Sequence, residues 1–383
     1  MAQFSKNSPI KVVSAGHVCL DISPVFPETL QGEIGQILMP GKLVNIENAQ
    51  IHIGGPVGNT GLALKFFGAD VRLMGKVGDD AFGRMAVEIV KQHGIESGLI
   101  VSPGSHTSYS VVLALPGKDR IFLHHPGAND TFTSADLDLE AIAQSVLFHF
   151  GYPPLMKQFY LEGGKELTAM FKKVSEMGVV TSLDMVAVDP SSPAGMVDWQ
   201  AILAKTLPHV DIFAPSVEEL LFMLDKPALA RLQSAAYGRD ITSVVDLERD
   251  VKPLADKVLR MGAAMTMIKC GAPGLYFASS SVDRIASVEH KFGFALSGWN
   301  NREYFQPGFK ADRVLSATGA GDAAIAAFLV SLLSQQPLAA CLQYAAGAGA
   351  CCVTEYDSLS GLKSFAEMQQ KMDAGWPAFQ PEG

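Results

Sequence analysis

The chain has 383 residues, 48% of them hydrophobic and 18% charged, and its 30 Lys and Arg against 39 Asp and Glu give a formal net charge of −9. This composition excludes a disordered or collagen-like chain, and the acidic balance without a basic cluster argues against a nucleic acid or an anionic membrane as partner. No apolar run approaches the roughly 18 residues that a membrane-spanning helix needs. At about 150 residues per domain, the length corresponds to two or three domains, or to one large domain with an appendage.

Strand-like and helical segments alternate along the chain. The pattern predicts strands at 11–15, 71–77, 146–150, 179–184, 210–213 and 264–269, and helices at 56–67, 81–93, 164–177, 217–224 and 247–261. Helices that follow strands in this way predict βαβ units and a doubly wound, mainly parallel α/β sheet. We expect residues 226–246 to form an irregular insertion and residues 371–383 a loosely held tail.

Two segments interrupt this alternation and predict a small separate sheet. Residues 42–53 and 107–125 alternate between apolar and polar positions, and the second contains a Pro-Gly-Lys-Asp turn at 116–119. Beside the carboxyl ends of a parallel sheet, such a sheet is a candidate lid. The predicted division is an α/β core at 1–20, 56–104 and 130–383, with a discontinuous lid at 21–55 and 105–129.

The cysteines and the first residues indicate the compartment. Five cysteines without a CxxC pair favour buried thiols in a reducing environment over a disulfide framework. Residues 1–9 lack the basic and apolar blocks of a signal peptide. We therefore expect a cytoplasmic protein.

The strongest motif is Ser-Ala-Thr-Gly-Ala-Gly-Asp at 316–322, which precedes a long apolar segment. A glycine-rich turn that runs into a helix exposes backbone N–H groups at the positive end of the helix dipole, which favours an anion such as phosphate. Asp322 is then out of place unless it accepts a proton from an attacking hydroxyl, as in phosphoryl transfer. The alternative is that Asp322 simply stabilises the first helical turn.

A second motif is Gly-Gly-Pro-Val-Gly-Asn-Thr-Gly-Leu-Ala at 54–63, where paired glycines enter a predicted helix. Asn59 either caps that helix or hydrogen-bonds a polyhydroxylated ligand. Asp21 follows the first strand at its carboxyl end, where a carboxylate can accept hydrogen bonds from two neighbouring hydroxyls.

These motifs together resemble the PfkB, or ribokinase-like, family of carbohydrate kinases over nearly the whole chain. Segments 316–322 and 54–59 look like the family's C-terminal and N-terminal signatures. Segments 75–83 and 268–274, Gly-Lys-Val-Gly-Asp-Asp-Ala-Phe-Gly and Ile-Lys-Cys-Gly-Ala-Pro-Gly, are typical of the family in the same order.

The resemblance implies an ATP-dependent sugar kinase that phosphorylates a hydroxymethyl group, with Mg²⁺ as cofactor. Asp322 would be the general base, and an anion hole would be formed by Gly319, Ala320 and Gly321. The sugar would be held by Asp21, Gly54, Gly55 and Asn59. The nucleotide would lie against Lys269, Gly271, Gly274 and Thr318.

Two positions depart from the family pattern. Ser216 stands where relatives have Asn in an Asn-x-x-Glu motif, while Glu219 keeps the acid, so Glu219 would reach magnesium through water. Ser316 stands where many relatives have an Asp that helps to bind a monovalent cation, which makes dependence on such a cation doubtful.

Three alternatives stay open on the sequence alone. Tyr109, Phe122 and His124 could cover the base of a nucleoside acceptor, and Arg120 could face an acidic sugar. The altered Ser216 leaves open a catalytically silent binding protein. Exposed strand edges in the lid favour pairing between two chains, so a homodimer is expected.

Overall fold

The computed structural model describes residues 10–30, 32, 34–95, 98–115 and 121–380. The strands are β1 (Lys11–Gly16), β2 (Cys19–Pro24), β3 (Ala49–Gly54), β4 (Asp70–Gly78), β5 (Leu99–Ser102), β6 (Tyr109–Leu113), β7 (Ile121–His125), β8 (Leu147–Gly151), β9 (Val180–Asp184), β10 (Ile212–Phe213), β11 (Met265–Lys269), β12 (Gly274–Ser279) and β13 (Glu303–Pro307). The α-helices are α1 (Ile34–Ile37), α2 (Gly55–Phe66), α3 (Ala81–Gln92), α4 (Leu139–Ala143), α5 (Lys157–Tyr160), α6 (Lys165–Glu176), α7 (Trp199–Thr206), α8 (Val217–Leu224), α9 (Lys226–Ala236), α10 (Lys252–Arg260), α11 (Val282–Phe292), α12 (Ala320–Leu333), α13 (Leu338–Cys352) and α14 (Phe365–Asp373).

The large sheet has the order β13-β12-β11-β10-β9-β8-β1-β4-β5. Its strands pair in parallel from β11 to β5, and only β12 and β13 add antiparallel pairs at one edge. The parallel strands all end at the same edge of the sheet, which is where open α/β sheets bind ligands. The predicted doubly wound, mainly parallel α/β sheet is confirmed.

Helices cover both faces of this sheet. All residues of β8 and β9 are buried, as expected for strands sandwiched between two helical layers. One layer contains α12, which is buried from Asp322 to Leu333 and packs between α2 and α13. This burial explains the almost uninterrupted apolar sequence of α12 and fixes its first turn at the carboxyl edge of the sheet.

The separate small sheet is also present, with the order β3-β2-β6-β7. Strand β2 pairs antiparallel with β3 and parallel with β6, and β6 pairs antiparallel with β7. Sequence analysis missed β2, and of the predicted segment 42–53 only the part from Ala49 onward is a strand. The predicted turn at 116–119 and Arg120 lie outside the described residues.

Two predictions for the C-terminal half are wrong. Residues 226–236 are not irregular but form α9, because Asp225 accepts a hydrogen bond from the Ala228 N–H at 3.1 Å and a proline occupies the first turn. The tail is held as far as Phe379, whose N–H donates to the Gly308 carbonyl at 2.7 Å. The Trp376 ring stacks on Phe309 at 4.5 Å between centroids.

No helix in the described part of the chain is long and apolar enough to cross a bilayer.

Candidate active site

The first turn of α12 forms the centre of the site. Gly319 precedes it in the left-handed conformation, with φ of 75°, and no side chain caps the helix. A Cβ at Gly319 would lie 2.3 Å from the Cβ of Ser358, so only glycine fits both the backbone and the packing here. The helix therefore presents its positive end at the carboxyl edge of the sheet without a competing side chain.

The Asp322 carboxylate lies in this turn, is 3% exposed and accepts three hydrogen bonds from neutral side chains. Asn59 Nδ2 and the Tyr152 hydroxyl donate to Oδ2 at 3.1 and 2.8 Å, and Thr60 Oγ1 donates to Oδ1 at 2.7 Å. The donors come from α2 and from the residue that follows β8. The site thus joins two elements that are far apart in sequence to α12.

Asn59 does not cap α2, because it lies inside that helix, whose N-cap residue is Gly54. Ser358 Oγ donates to Asn59 Oδ1 at 2.9 Å. This bond determines which way the amide faces and directs its Nδ2 donors at Asp322.

No role was predicted for Thr60, which lies in the second motif, or for Tyr152, which lies in none. Tyr152 has φ of 64° and ψ of 42°, a left-handed conformation that is rare for a bulky residue. Burial raises the pKa of Tyr152 well above its usual value, and the negative charge of Asp322 adds to this effect, so the hydroxyl stays a donor. Its position directly after the carboxyl end of a parallel strand is the signal that could have found it.

Asp21 lies on the small sheet and is partly buried beside Gly54. A Cβ at Gly54 would lie 2.2 Å from Asp21 Oδ2, which explains the glycine at this position. Burial raises the pKa of Asp21 to about 6, hydrogen bonds from Cys19 and Ser110 oppose this shift, and the charge of Asp322 adds to it. The predicted sugar-binding and catalytic carboxylates are therefore close enough to influence each other.

A polar row crosses the small sheet at Asp21. The strand registers pair Asp21 with His52 on β3 and with Ser110 on β6, and Ser110 with His124 on β7. Directly opposite residues share a face of a sheet. Ser110 Oγ lies 3.1 Å from His124 Nδ1. This face of the sheet therefore offers several hydrogen-bonding groups in line with Asp21.

His17 connects this row with Tyr152. Its ring lies 5.2 Å from that of His124 and 6.2 Å from that of Tyr152, measured between centroids. His17 is 1% exposed, and among the described residues neither of its ring nitrogens has a hydrogen-bond partner. Burial lowers the pKa of His17 well below its usual value and that of His124 to about 4, so both rings are neutral near pH 7. Gly55, with φ of 74°, packs against the His17 carbonyl.

Lys269 lies at the end of β11 and is paired inside the protein. Its Nζ lies 2.5 Å from Asp184 Oδ1 and 2.7 Å from the Ala214 carbonyl oxygen. Burial lowers the pKa of Lys269, but the carboxylates of Asp184 and Glu219 outweigh this effect and raise it above its usual value. A Cβ at Gly321 would lie 3.2 Å from Lys269 Cδ, so this cation lies beside the first turn of α12.

Glu219 and Ser216 cap helix α8. The Ser216 N–H donates to Glu219 Oε2 at 2.7 Å, and the Glu219 N–H donates to Ser216 Oγ at 3.2 Å. The serine is therefore a capping residue here. No group of three His, Cys, Asp or Glu residues in the described ranges is arranged to hold a metal ion by itself.

Local packing also explains why glycine occupies the two positions predicted to contact the nucleotide. Gly271, with φ of 65°, packs against the Thr242 side chain, and a Cβ at Gly274 would lie 2.1 Å from the Gln306 carbonyl oxygen. Thr318 lines a cleft of about 460 Å³ together with Asp21 and Asn59. The cleft runs between the small sheet and the segments 314–318 and 356–358.

Comparison with known proteins identifies the family. The sequence profile described as "pfkB family carbohydrate kinase" matches residues 10–364. Fructokinase-2 of Zea mays is 25% identical over 326 residues, which are 82% of this chain and 84% of that protein. Two solved structures share the fold. Arabidopsis thaliana ribokinase complexed with ribose and ATP has a TM-score of 0.66 and 20% identity, covering 95% of this chain and 98% of its own. Burkholderia thailandensis nucleoside kinase in complex with inosine has a TM-score of 0.64 and 16% identity, covering 97% and 100%.

Proposed function

Because the chain belongs to the pfkB family of carbohydrate kinases, and is thus a phosphotransferase with an alcohol acceptor, we propose that it transfers the γ-phosphate of ATP to a hydroxymethyl group of a small sugar. The observation that carries this proposal is the buried Asp322 carboxylate in the uncapped first turn of α12. A proton acceptor and a phosphate-binding helix end then lie within one turn of each other.

The proposed chemistry requires positioning and charge stabilisation more than covalent catalysis. Asp322 accepts the proton of the attacking hydroxyl. Gly319, Ala320 and Gly321 direct backbone N–H groups at the transferring phosphoryl group, and their small side chains permit close approach. The helix dipole adds about half a positive charge at this point.

The nucleotide phosphates would lie beside Lys269, near the start of α12, with Thr318, Gly271 and Gly274 along the nucleotide. Two of the three N–H donors of Lys269 bind Asp184 and Ala214, which leaves one that can point to a phosphate. The acidic neighbours of Lys269 would repel ATP without a counter-charge.

Magnesium fits this arrangement. The acidic neighbours of Lys269, Asp184 and Glu219, offer carboxylate oxygens, the ligand type that Mg²⁺ prefers. Mg²⁺ also usually keeps several waters and binds substrate phosphates. Glu219 would contact it through water, since its Oε2 already caps α8. The ion would supply positive charge to the phosphates.

The polar row favours a sugar as the acceptor. Asp21 and Asn59 provide hydrogen-bonding groups to vicinal hydroxyls, while Gly54 and Gly55 permit a close approach. Tyr109 cannot cover a nucleoside base, because it lies on the opposite face of β6 from Ser110 and packs on Phe82 at 5.4 Å between ring centroids. These contacts support a ligand rich in hydroxyls.

A nucleoside is the second candidate, because Phe26, Leu115 and Val314 give the outer cleft apolar walls. A phosphotransfer assay with ATP, Mg²⁺ and a panel of ketohexoses, pentoses and nucleosides tests both candidates. We expect the highest kcat/KM with a sugar. A nucleoside as the best acceptor would replace the first candidate by the second. Ligands that raise Tm without any product would instead indicate a binding protein.

The small sheet is proposed to act as the lid, and its edges to pair two chains. Its edge strands are β3 and β7, and exposed apolar side chains lie on both, Ile51 at 38% and Leu123 at 54% exposure. Unpaired strand edges with apolar side chains favour association. Sedimentation at micromolar concentration should give a dimer, and a monomer there would refute this part of the proposal.

A further inference from the structure

The Asp322 carboxylate has more hydrogen-bond donors on one oxygen than on the other. In the described part of the chain, Oδ2 accepts from both Asn59 and Tyr152, whereas Oδ1 accepts only from Thr60. A carboxylate offers about four lone-pair positions, two on each oxygen. Three are occupied, and the one that is left is on Oδ1.

From this asymmetry we propose that Tyr152, Asn59 and Thr60 form a clamp that leaves a single lone pair, on Asp322 Oδ1, for the acceptor hydroxyl, and that Tyr152 is a positioning residue for the transfer reaction. This inference rests on the proposed role of Asp322 as the base. It adds to that role the atom that takes the proton and the residue that orients it.

Tyr152 is built to hold this position. Its left-handed backbone is a conformation that a bulky residue adopts only where the surrounding structure imposes it. The Tyr152 N–H donates to the Asp184 carbonyl at 3.3 Å, and its ring lies beside His17. The backbone and the ring of Tyr152 are thus held by contacts that do not involve its hydroxyl. These contacts fix the position from which the hydroxyl donates to Asp322.

The clamp separates two requirements of a general base. A carboxylate bound by a cation would be held in place but neutralised, whereas neutral donors orient it and leave the negative charge available for a proton. Losing one donor should make the carboxylate less well oriented and less stable in its charged form.

Replacing Tyr152 by Phe removes only the hydroxyl. We expect kcat at its pH plateau to fall about tenfold, KM for ATP to change less than twofold, and the acid limb of the kcat profile to move up by about one pH unit, as for loss of a hydrogen bond to a charged group. A merely structural role for the ring would leave the acid limb unchanged.

The other ionisable groups around Asp322 are present in both the wild type and Tyr152→Phe, so their effects on the pH profile cancel when the two are compared. Those that influence it electrostatically or are influenced by it are Asp21, Cys19, Asp184, Lys269 and Cys352. The matched control is Tyr276→Phe, because the Tyr276 hydroxyl also donates to a carboxylate, Glu303 at 3.2 Å, on the antiparallel edge of the sheet. This control should keep the wild-type kcat and pH profile.

Thr60 provides a second pair of variants if Tyr152→Phe does not fold. Thr60→Val loses the donor to Oδ1 and should lower kcat about tenfold, whereas Thr60→Ser keeps the hydroxyl and should retain most of the activity. Equal activity of the Val and Ser variants would contradict the clamp.

A crystal structure of the wild type with its best sugar and a non-hydrolysable ATP analogue tests the atom assignment directly. We expect the acceptor hydroxyl within 2.6–3.2 Å of Oδ1, the usual reach of a general base, with Tyr152 still on Oδ2. An acceptor that displaces Tyr152 and binds Oδ2, or an unchanged acid limb in Tyr152→Phe of an active enzyme, overturns the inference alone. A wild type that phosphorylates no acceptor overturns the proposed function and the inference together.

Discussion

Two buried aspartates of this protein, Asp211 and Asp322, are held in opposite ways. Asp211 lies just before β10 and accepts from Arg284 at 3.0 Å and Lys291 at 2.7 Å, together with the Thr181 N–H at 3.0 Å. Among the residues that the structure describes, Asp322 accepts only from neutral side chains, at 2.7 to 3.1 Å. Both are almost completely buried.

The difference separates structural from chemical carboxylates. Two cations, Arg284 and Lys291, pair with Asp211, so its bonds connect α11 to the amino end of the sheet. Neutral donors hold Asp322 in position without cancelling its charge. Removing the carboxylate charge should therefore affect stability in the first case and turnover in the second.

The largest effect is expected for Asp322→Asn, with Asp322→Ala as a second variant. Loss of the general base should lower kcat by about 10²–10⁴, or roughly 3–5 kcal/mol in activation free energy. Steady-state kinetics with the best acceptor measures this, and a Tm close to that of the wild type shows that the fold is kept. Near-normal turnover would remove Asp322 from the mechanism.

Asp211→Asn should show the opposite pattern. Breaking a buried ion pair leaves its cations uncompensated, which typically costs about 3–5 kcal/mol. The free energy of unfolding, measured in urea, should fall by that amount, while kcat per folded molecule stays at the wild-type value. A loss below about 1 kcal/mol would show that Arg284 and Lys291 find other partners.

Lys269 lies between these two cases, because it pairs with buried Asp184 and also faces the start of α12. Lys269→Met should lower the free energy of unfolding by about 3 kcal/mol, since Asp184 is left buried without its cation. Because Lys269 is proposed to contact a phosphate, Lys269→Met should also raise KM for ATP. The double variant Lys269→Met/Asp184→Asn should recover part of the lost stability but should keep the raised KM for ATP. A double variant that recovers both would limit Lys269 to a structural role.

The smallest effect is expected for Asp21→Asn, and it depends on pH. The pKa of Asp21 is about 6 in the folded protein against 3.8 as its ordinary value, so the charged form is disfavoured by folding. The free-energy cost of the Asp21 charge to the folded state is absent below about pH 4, grows as pH rises, and reaches its full size above about pH 6. With solvent screening of this partly exposed group, Asp21→Asn should be more stable than the wild type by about 2 kcal/mol at pH 8.

The matching measurement for Asp21→Asn is Tm at pH 4 and pH 8, together with KM for the acceptor at pH 8. The stability of Asp21→Asn should exceed that of the wild type only at pH 8. Its KM for the sugar should rise, because a carboxylate that accepts hydrogen bonds from the sugar hydroxyls is lost. An advantage of the same size at both pH values would mean that the gain does not come from the charge.

Part of the site was within reach of sequence analysis because it depends on local backbone. The glycine-rich turn before α12 and the paired glycines before α2 are contiguous, so their spacing predicted two ligand-facing helix starts. Asp21 could be placed for the same reason, as it lies just beyond a predicted strand. Lys269 was predicted to approach phosphate, yet its burial and its bond to Asp184 depend on β9, 85 residues earlier in the chain.

The alternation of strands and helices, the family and the position of Asp322 followed from local spacing, since hydrophobic periodicity and turn chemistry are properties of short segments. The clamp around Asp322 did not, because its donors stand 170 to 263 residues away in the chain. Tyr152 belongs to no motif, and the motif that contains Thr60 predicts no role for it. They reach Asp322 only because parallel strands and the helices between them end at one edge of the sheet, and burial at that edge selects which polar side chains must find each other.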